Sequence, residues 1–432
     1  DRQHYCEVDF TVISAAYCRT SVLINRTIKT IKMKVAGILI FISLILTASC
    51  EDEEEIKELS SIVRNFTARF AARLITPPYG STDNFIFSGL RIISTLATMY
   101  TLGSDNIKSE IKPILGLTSS LEENICDVMN ILTNYDPINE SVAGVLFDSK
   151  LFYRLDMKIR DEAVRNPCIS GKVQALNFTD TKGAMETINK FYDVWGYVNR
   201  FRKFFSRYLT TPLAANTNEF FMNLLRVKTV MQSPFYFGWY VTFIDINGVE
   251  ANTFSMEKID NFYFEHYEKH NVTLIREDLV GGRFSYVIIV PNYKSPECQA
   301  EFESFLQVDV FTDILLEAAS LRNKTRMGLR MPELEKKSRF DLKNILNEMG
   351  LTSLGEVTAF SGLTGDFSNI TEFPYSEFIQ FVSSLQSNPI LDNRIEYFEV
   401  TKPFIFVRMD NKFAIPLQTF LYTGINKYKG LY

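Results

Sequence analysis

His266 and His270, two of the chain's three histidines, stand four residues apart with Glu265 beside them. On a helix that spacing could present two imidazoles to one metal ion. The glutamate is not placed as in a zinc-binding His-Glu-x-x-His helix, and the stretch around it reads as extended. The two histidines are therefore expected as same-face neighbours on a strand, and no metal is expected. Gly281-Gly282 is followed by no Lys-Ser or Lys-Thr pair opening a helix, so it reads as a turn and not as a phosphate cradle. Residues 201–207 interleave Phe201, Phe204 and Phe205 with Arg202, Lys203 and Arg207. That is a weak anion- or heparin-binding pattern, and a solvated helix face is the reading it favours. His4 is the third histidine, and no nucleophile stands at a recognisable spacing from a base, so no enzyme activity and no cofactor are expected.

The elements that would carry such residues must come from a large core. The chain has 432 residues, 46% hydrophobic and 13% aromatic, with a net charge of −5. That balance leaves no basic footprint for nucleic acid. No Pro/Gly/Ser-rich linker divides it, so residues 51–432 are expected to form a single domain. Met33 and Lys34 precede an apolar run over residues 35–46 and small residues at 47–49. This pattern predicts a secretory signal peptide over residues 33–50, with residues 1–32 an upstream non-native or leader stretch. The run is shorter than the ~20 residues of a membrane-spanning helix, so no membrane anchor is expected once the signal is removed. Cys126, Cys168 and Cys298 remain after Cys6, Cys18 and Cys50, enough for at most one internal disulfide and a free thiol. Asn65, Asn139, Asn177, Asn271, Asn323 and Asn369 each begin an Asn-x-Ser/Thr sequon and are the glycosylation candidates of a secreted, extracellular glycoprotein.

Ile56, Leu59, Ile62, Phe66, Phe70 and Leu74 recur at helical steps until Pro77-Pro78. Residues 84–90 read as a short strand leading into a helix through Ile93, Ala97 and Tyr100. Phe340, Leu342, Ile345, Leu346 and Met349 predict a helix with Gly350 as its cap. The chain then reads extended over 377–385 and 396–409, with a hairpin returning through 420–425.

Taken in order, these segments resemble the serpin family. The matching residues are Asn84, Phe85, Phe87, Ser88, Leu96, Ala97, Leu102 and Gly103, then Ile188-Asn189, Asn223 and Phe235. Ser285 to Asn292, Met331-Pro332, Met349-Gly350-Leu351, Phe398, Lys402-Pro403-Phe404, Phe406, Asp410, Leu421 and Gly424 complete the frame. The resemblance implies an α+β fold with a large central mixed β-sheet, further β-sheets and about eight to nine helices. It also implies a monomer whose partner is an extracellular serine protease, or a small-molecule or protein ligand.

Family members inhibit by loop cleavage: the cut reactive loop inserts into the central sheet as an extra strand and distorts the trapped enzyme. Small residues and a Glu-Glu-Gly hinge let that loop enter the sheet. This chain has neither. Its reactive-loop candidates are Gln386, Ser387, Asn388, Pro389, Ile390, Leu391, Asp392, Asn393 and Arg394, with Arg394 the only basic residue. Leu385 to Thr401 is 17 residues, roughly a dozen fewer than full insertion needs. Pro389 would also remove one ladder N–H. The shutter, the region where the sheet opens, is assigned by the resemblance to Ser88, Arg91, Asn223 and Ser376. Arg91 replaces a serine there, Ser376 replaces a histidine, Gly89 replaces a proline, and Met231 stands for a tryptophan. A non-inhibitory binding or carrier serpin is the expectation. A protease inhibitor with an atypical loop, and a generic secreted binding protein outside the family, are the alternatives.

Overall fold

The apolar repeat from Ile56 to Leu74 forms the buried face of a helix over residues 53–75, α1. The computed structural model describes residues 53–76, 78–79, 83–133, 144–169, 172–194, 208–228, 231–294, 298–356, 359–364, 369–370, 373–381, 384–387 and 395–425. Two compact units divide the chain, Asp1–Glu55 and Ile56–Tyr432. The second holds every described strand and, apart from the first residues of α1, every described helix.

Nine further α-helices follow among the described residues: α2 (Gly89–Leu102), α3 (Asp105–Leu115), α4 (Ser119–Glu122), α5 (Ile125–Thr133), α6 (Asp161–Val164), α7 (Thr181–Val194), α8 (Gln299–Ser304), α9 (Val308–Ser320) and α10 (Leu342–Glu348). The expected number was smaller because α4 and α6 are single turns, too short to show a helical period. α2 is buried around almost its whole circumference, so it lies inside the molecule and not on it. Gly350 follows α10 with φ +106°, the left-handed conformation that stops a helix.

The strands are β1 (Phe85–Phe87), β2 (Gly144–Arg154), β3 (Val173–Leu176), β4 (Glu219–Lys228), β5 (Tyr236–Ile244), β6 (Glu250–Tyr267), β7 (Val272–Asp278), β8 (Phe284–Pro291), β9 (Lys324–Pro332), β10 (Leu334–Asp341), β11 (Pro374–Phe381), β12 (Ser384–Ser387), β13 (Tyr397–Glu399), β14 (Phe404–Asp410) and β15 (Ile415–Tyr422). Ten of them form a mixed sheet in the order β1-β15-β14-β8-β7-β6-β5-β12, with β9 on β6 and β13 on β9. Only β12–β5 and β13–β9 run parallel in it. β8, β14 and β15 are buried along their full length, which explains why apolar residues dominate them without the alternation of a half-exposed strand. β3-β2-β4 and β10-β11 form two smaller sheets.

Two extended readings divide in the structure. The first ends at Phe381 in β11, and β12 restarts at Ser384 in a different sheet. The second is interrupted at Lys402-Pro403, leaving β13 on β9 and β14 between β8 and β15. The closing hairpin returns at Ile415, five residues before the expected 420. Gly281 and Gly282 turn β7 into β8 with φ of +96° and +73°. Cys126 and Cys168 form the disulfide, and Cys298 joins no disulfide among the described residues and is buried, its thiol pushed up by that burial.

Candidate functional site

Ser88, Arg91, Asn223 and Ser376 come together where α2 passes β4 and β11. Ser88 caps α2: its Oγ accepts from the Arg91 N–H at 3.3 Å, and its own N–H donates to Tyr375 Oη at 2.8 Å. That cap places Arg91 in the first helical turn, only 3% exposed. Its Nε donates to the carbonyl of Asn223 at 2.9 Å, and its Nη1 to the carbonyl of Ser376 at 3.1 Å. The same guanidinium pairs with Glu377 and lies 4.7 Å from the centre of the Tyr375 ring. Asn223 in turn donates to the Arg91 carbonyl at 3.4 Å and to Thr95 Oγ1.

A buried guanidinium and carboxylate each cost several kcal/mol to desolvate, so both must be fully bonded to survive here. Glu377 meets that demand with Tyr375 Oη at 3.0 Å and Gln418 Nε2 at 2.8 Å, besides Arg91. Gln418 Oε1 then accepts from Arg408 at 2.7 Å, which carries the network across β15 and β14. Burial pushes the phenols of Tyr192, Tyr208 and Tyr375 up, so they remain neutral donors beside it. The Ser376 hydroxyl, buried where the family resemblance expects a histidine, finds no partner among the described residues. Sequence reasoning missed Tyr375, Glu377, Arg408 and Gln418. A signal was present: Arg91 interrupts the otherwise apolar Leu90 to Ile93 of a fully buried helix and therefore needs a counter-charge nearby.

Of the reactive-loop candidates, Gln386 and Ser387 lie on β12, whose Ser387 pairs with Phe237 of β5. Asn388, Pro389, Ile390, Leu391, Asp392, Asn393 and Arg394 fall outside the described residues, as do Phe201 to Arg207. The sequons separate by surroundings. Asn177 and Asn323 are exposed. Asn65 is half-buried and accepts from Thr312 Oγ1 at 3.1 Å. The side-chain amide of Asn271 is held by the Asn292 carbonyl at 3.0 Å, and that of Asn369 by the Gly355 carbonyl at 3.2 Å. Asn139 lies outside the described residues.

His266 and His270 do not share a strand face. β6 ends at Tyr267, and His270 sits in the one-turn 3-10 helix Glu268–His270. His266 meets Asn292 at 3.1 Å, whereas His270 meets Asp313 at 2.7 Å. Tyr267 and Lys269 also converge on Asp313, and these bonds, Lys269 foremost, hold its carboxyl down at about 2. No group of three or more metal-type ligands occurs among the described residues. No described helix is long and apolar enough to cross a membrane. A cavity of about 420 Å³ opens beside α1, lined by Ile62, Asn65, Arg69, Pro113, Leu115 and Val308.

The sequence model of the family described as Serpin (serine protease inhibitor) matches residues 61–418. No curated protein matches the chain by sequence. Among solved structures it is similar to thyroxine-binding globulin in complex with thyroxine, at a TM-score of 0.70 and 16% identity, over 84% of this chain and 98% of that one. It is also similar to human glycosylated kallistatin, at a TM-score of 0.69 and 17% identity, over 85% of this chain and 98% of that one. At these identities the structural likeness speaks for the fold, and the match over residues 61–418 for ancestry: the chain belongs to the serpin family.

Proposed function

We propose that this serpin is a secreted, non-inhibitory binding or carrier protein that does not trap proteases by loop insertion. One observation carries the reading: only residues 382–396 join β11 to β13, and Ser384–Ser387 are already paired to the edge of β5. At ~3.3 Å per residue that link can bridge two strands, but it cannot also supply a long inserted one. The protein is a monomeric extracellular glycoprotein without catalytic residues, its domain spanning residues 51–432 behind a signal peptide. Glycans belong on Asn177 and Asn323, where the asparagines are exposed. Peptide mapping that finds both unmodified in secreted material would remove that part. The cavity beside α1 is of a size to hold a small ligand, with Glu58 and Arg69 both in its lining. Thyroxine-binding globulin, on the same fold, is a complex with a small molecule.

Incubation with a panel of serine proteases tests the proposal. Cleavage near Arg394 without an SDS-resistant complex, and without a rise in thermal midpoint, is the expected result. A covalent complex, or a cleaved form markedly more heat-stable than the intact one, would establish an inhibitor with an atypical loop instead.

A further inference from the structure

β4 is the edge of β3-β2-β4, β11 is the edge of β10-β11, and among the described residues no ladder joins the two. A strand laid between them would have to bond with backbone groups on both. At the level of Asn223 and Ser376 those acceptors are already taken. Arg91 Nε bonds the Asn223 carbonyl of β4, and Nη1 of the same guanidinium bonds the Ser376 carbonyl of β11. A planar fork thus makes, from one side chain, two bonds of the kind an added strand would make with its N–H groups.

We propose that Arg91 plugs the slot between β4 and β11, so that no extended peptide backbone, from this chain or another, can enter it. Withdrawing the guanidinium would leave Glu377 buried without its cation, its carboxylate facing only the neutral donors of Tyr375 and Gln418. The plug is therefore held by charge as well as by shape. Thr95 and Asn223 hold the helix backbone at Arg91 from the other side. Loop length does not enter, because the slot is closed to strands supplied from outside as much as to the chain's own.

The test uses the full chain and a labelled, acetylated peptide of alternating Thr and Ala, matched in length to β4. The wild type is expected to exclude it on prolonged warm incubation. The double variant Arg91→Ser with Glu377→Gln removes both charges and is expected to take up at least about tenfold more label, with a raised thermal midpoint. Uptake by the wild type, or exclusion by a double variant that is folded by circular dichroism, overturns the proposal. If the double variant does not fold, Arg91→Lys decides, since it keeps the charge opposite Glu377 but gives up the fork. Uptake by that variant supports the plug, and exclusion equal to the wild type sinks it.

Discussion

Arg91 and Glu377 are 4% and 2% exposed at their side chains, so solvent cannot rescue either when its partner is lost. Arg91→Ala is expected to destabilise the fold by about 3–5 kcal/mol, read from chemical denaturation. Replacing both members with leucine should cost far less, because no charge is then left buried. A single substitution that proves as mild as the double one would show that the pair does not share its desolvation cost. Asp313 behaves differently because it lies near the surface. Its carboxyl is held at about 2, below the ordinary 3.8, so what it contributes is present above pH 3.8 and is lost as pH falls through 2. An NMR titration should place its midpoint near 2, with the Lys269 and His270 signals responding over the same interval. A midpoint at the ordinary value would mean that the three donors do not converge on Asp313 in solution.

Several elements were legible directly. α1, α2 and α10 repeat their apolar residues at a helical period, the family resemblance pointed to β8, and Gly350 and Gly281-Gly282 mark the end of α10 and the turn before β8. β12 was not legible, because four residues on a sheet edge carry no alternation that separates them from the strand before. The division of 396–409 needed Pro403 to be weighed against two apolar runs that otherwise look continuous. The cluster around Arg91 was half legible: the resemblance pointed to Ser88, Arg91, Asn223 and Ser376, which lie together, but not to the side chains that neutralise Arg91. Those partners come from β11, β14 and β15, and pairing across such separations leaves no local pattern. The cysteines allowed one bond without naming it, and the structure joins Cys126 to Cys168 across 42 residues. Chain entropy assigns a loop of that length about 4 kcal/mol. Replacing both cysteines with alanine should lower stability by that order in denaturant titrations, and a change below about 1 kcal/mol would mean that the reduced chain keeps the two segments together.

For the molecule as a whole, the short link after β11 has a second consequence besides the one proposed for loop insertion. β5 would be the bare end of the ten-stranded sheet, and it carries Phe237, Trp239 and Tyr240, with Phe254 beside them on β6, all exposed. Trp239 is 72% exposed and Tyr240 62%, an apolar cluster next to unpaired backbone, which is the combination that invites edge-to-edge association. β12 lies along that edge in parallel register. Replacing Ser384 and Leu385 by prolines would strip backbone donors from the cover while leaving the chain length intact. Light scattering of that variant should rise with protein concentration where the wild type stays flat, and equal scattering would show that the cover is dispensable. Too short to act as a blade, these four residues are expected to serve as a hem: they would finish a fabric edge that would otherwise catch on the next molecule, tying colloidal behaviour to the same link that carries Arg394.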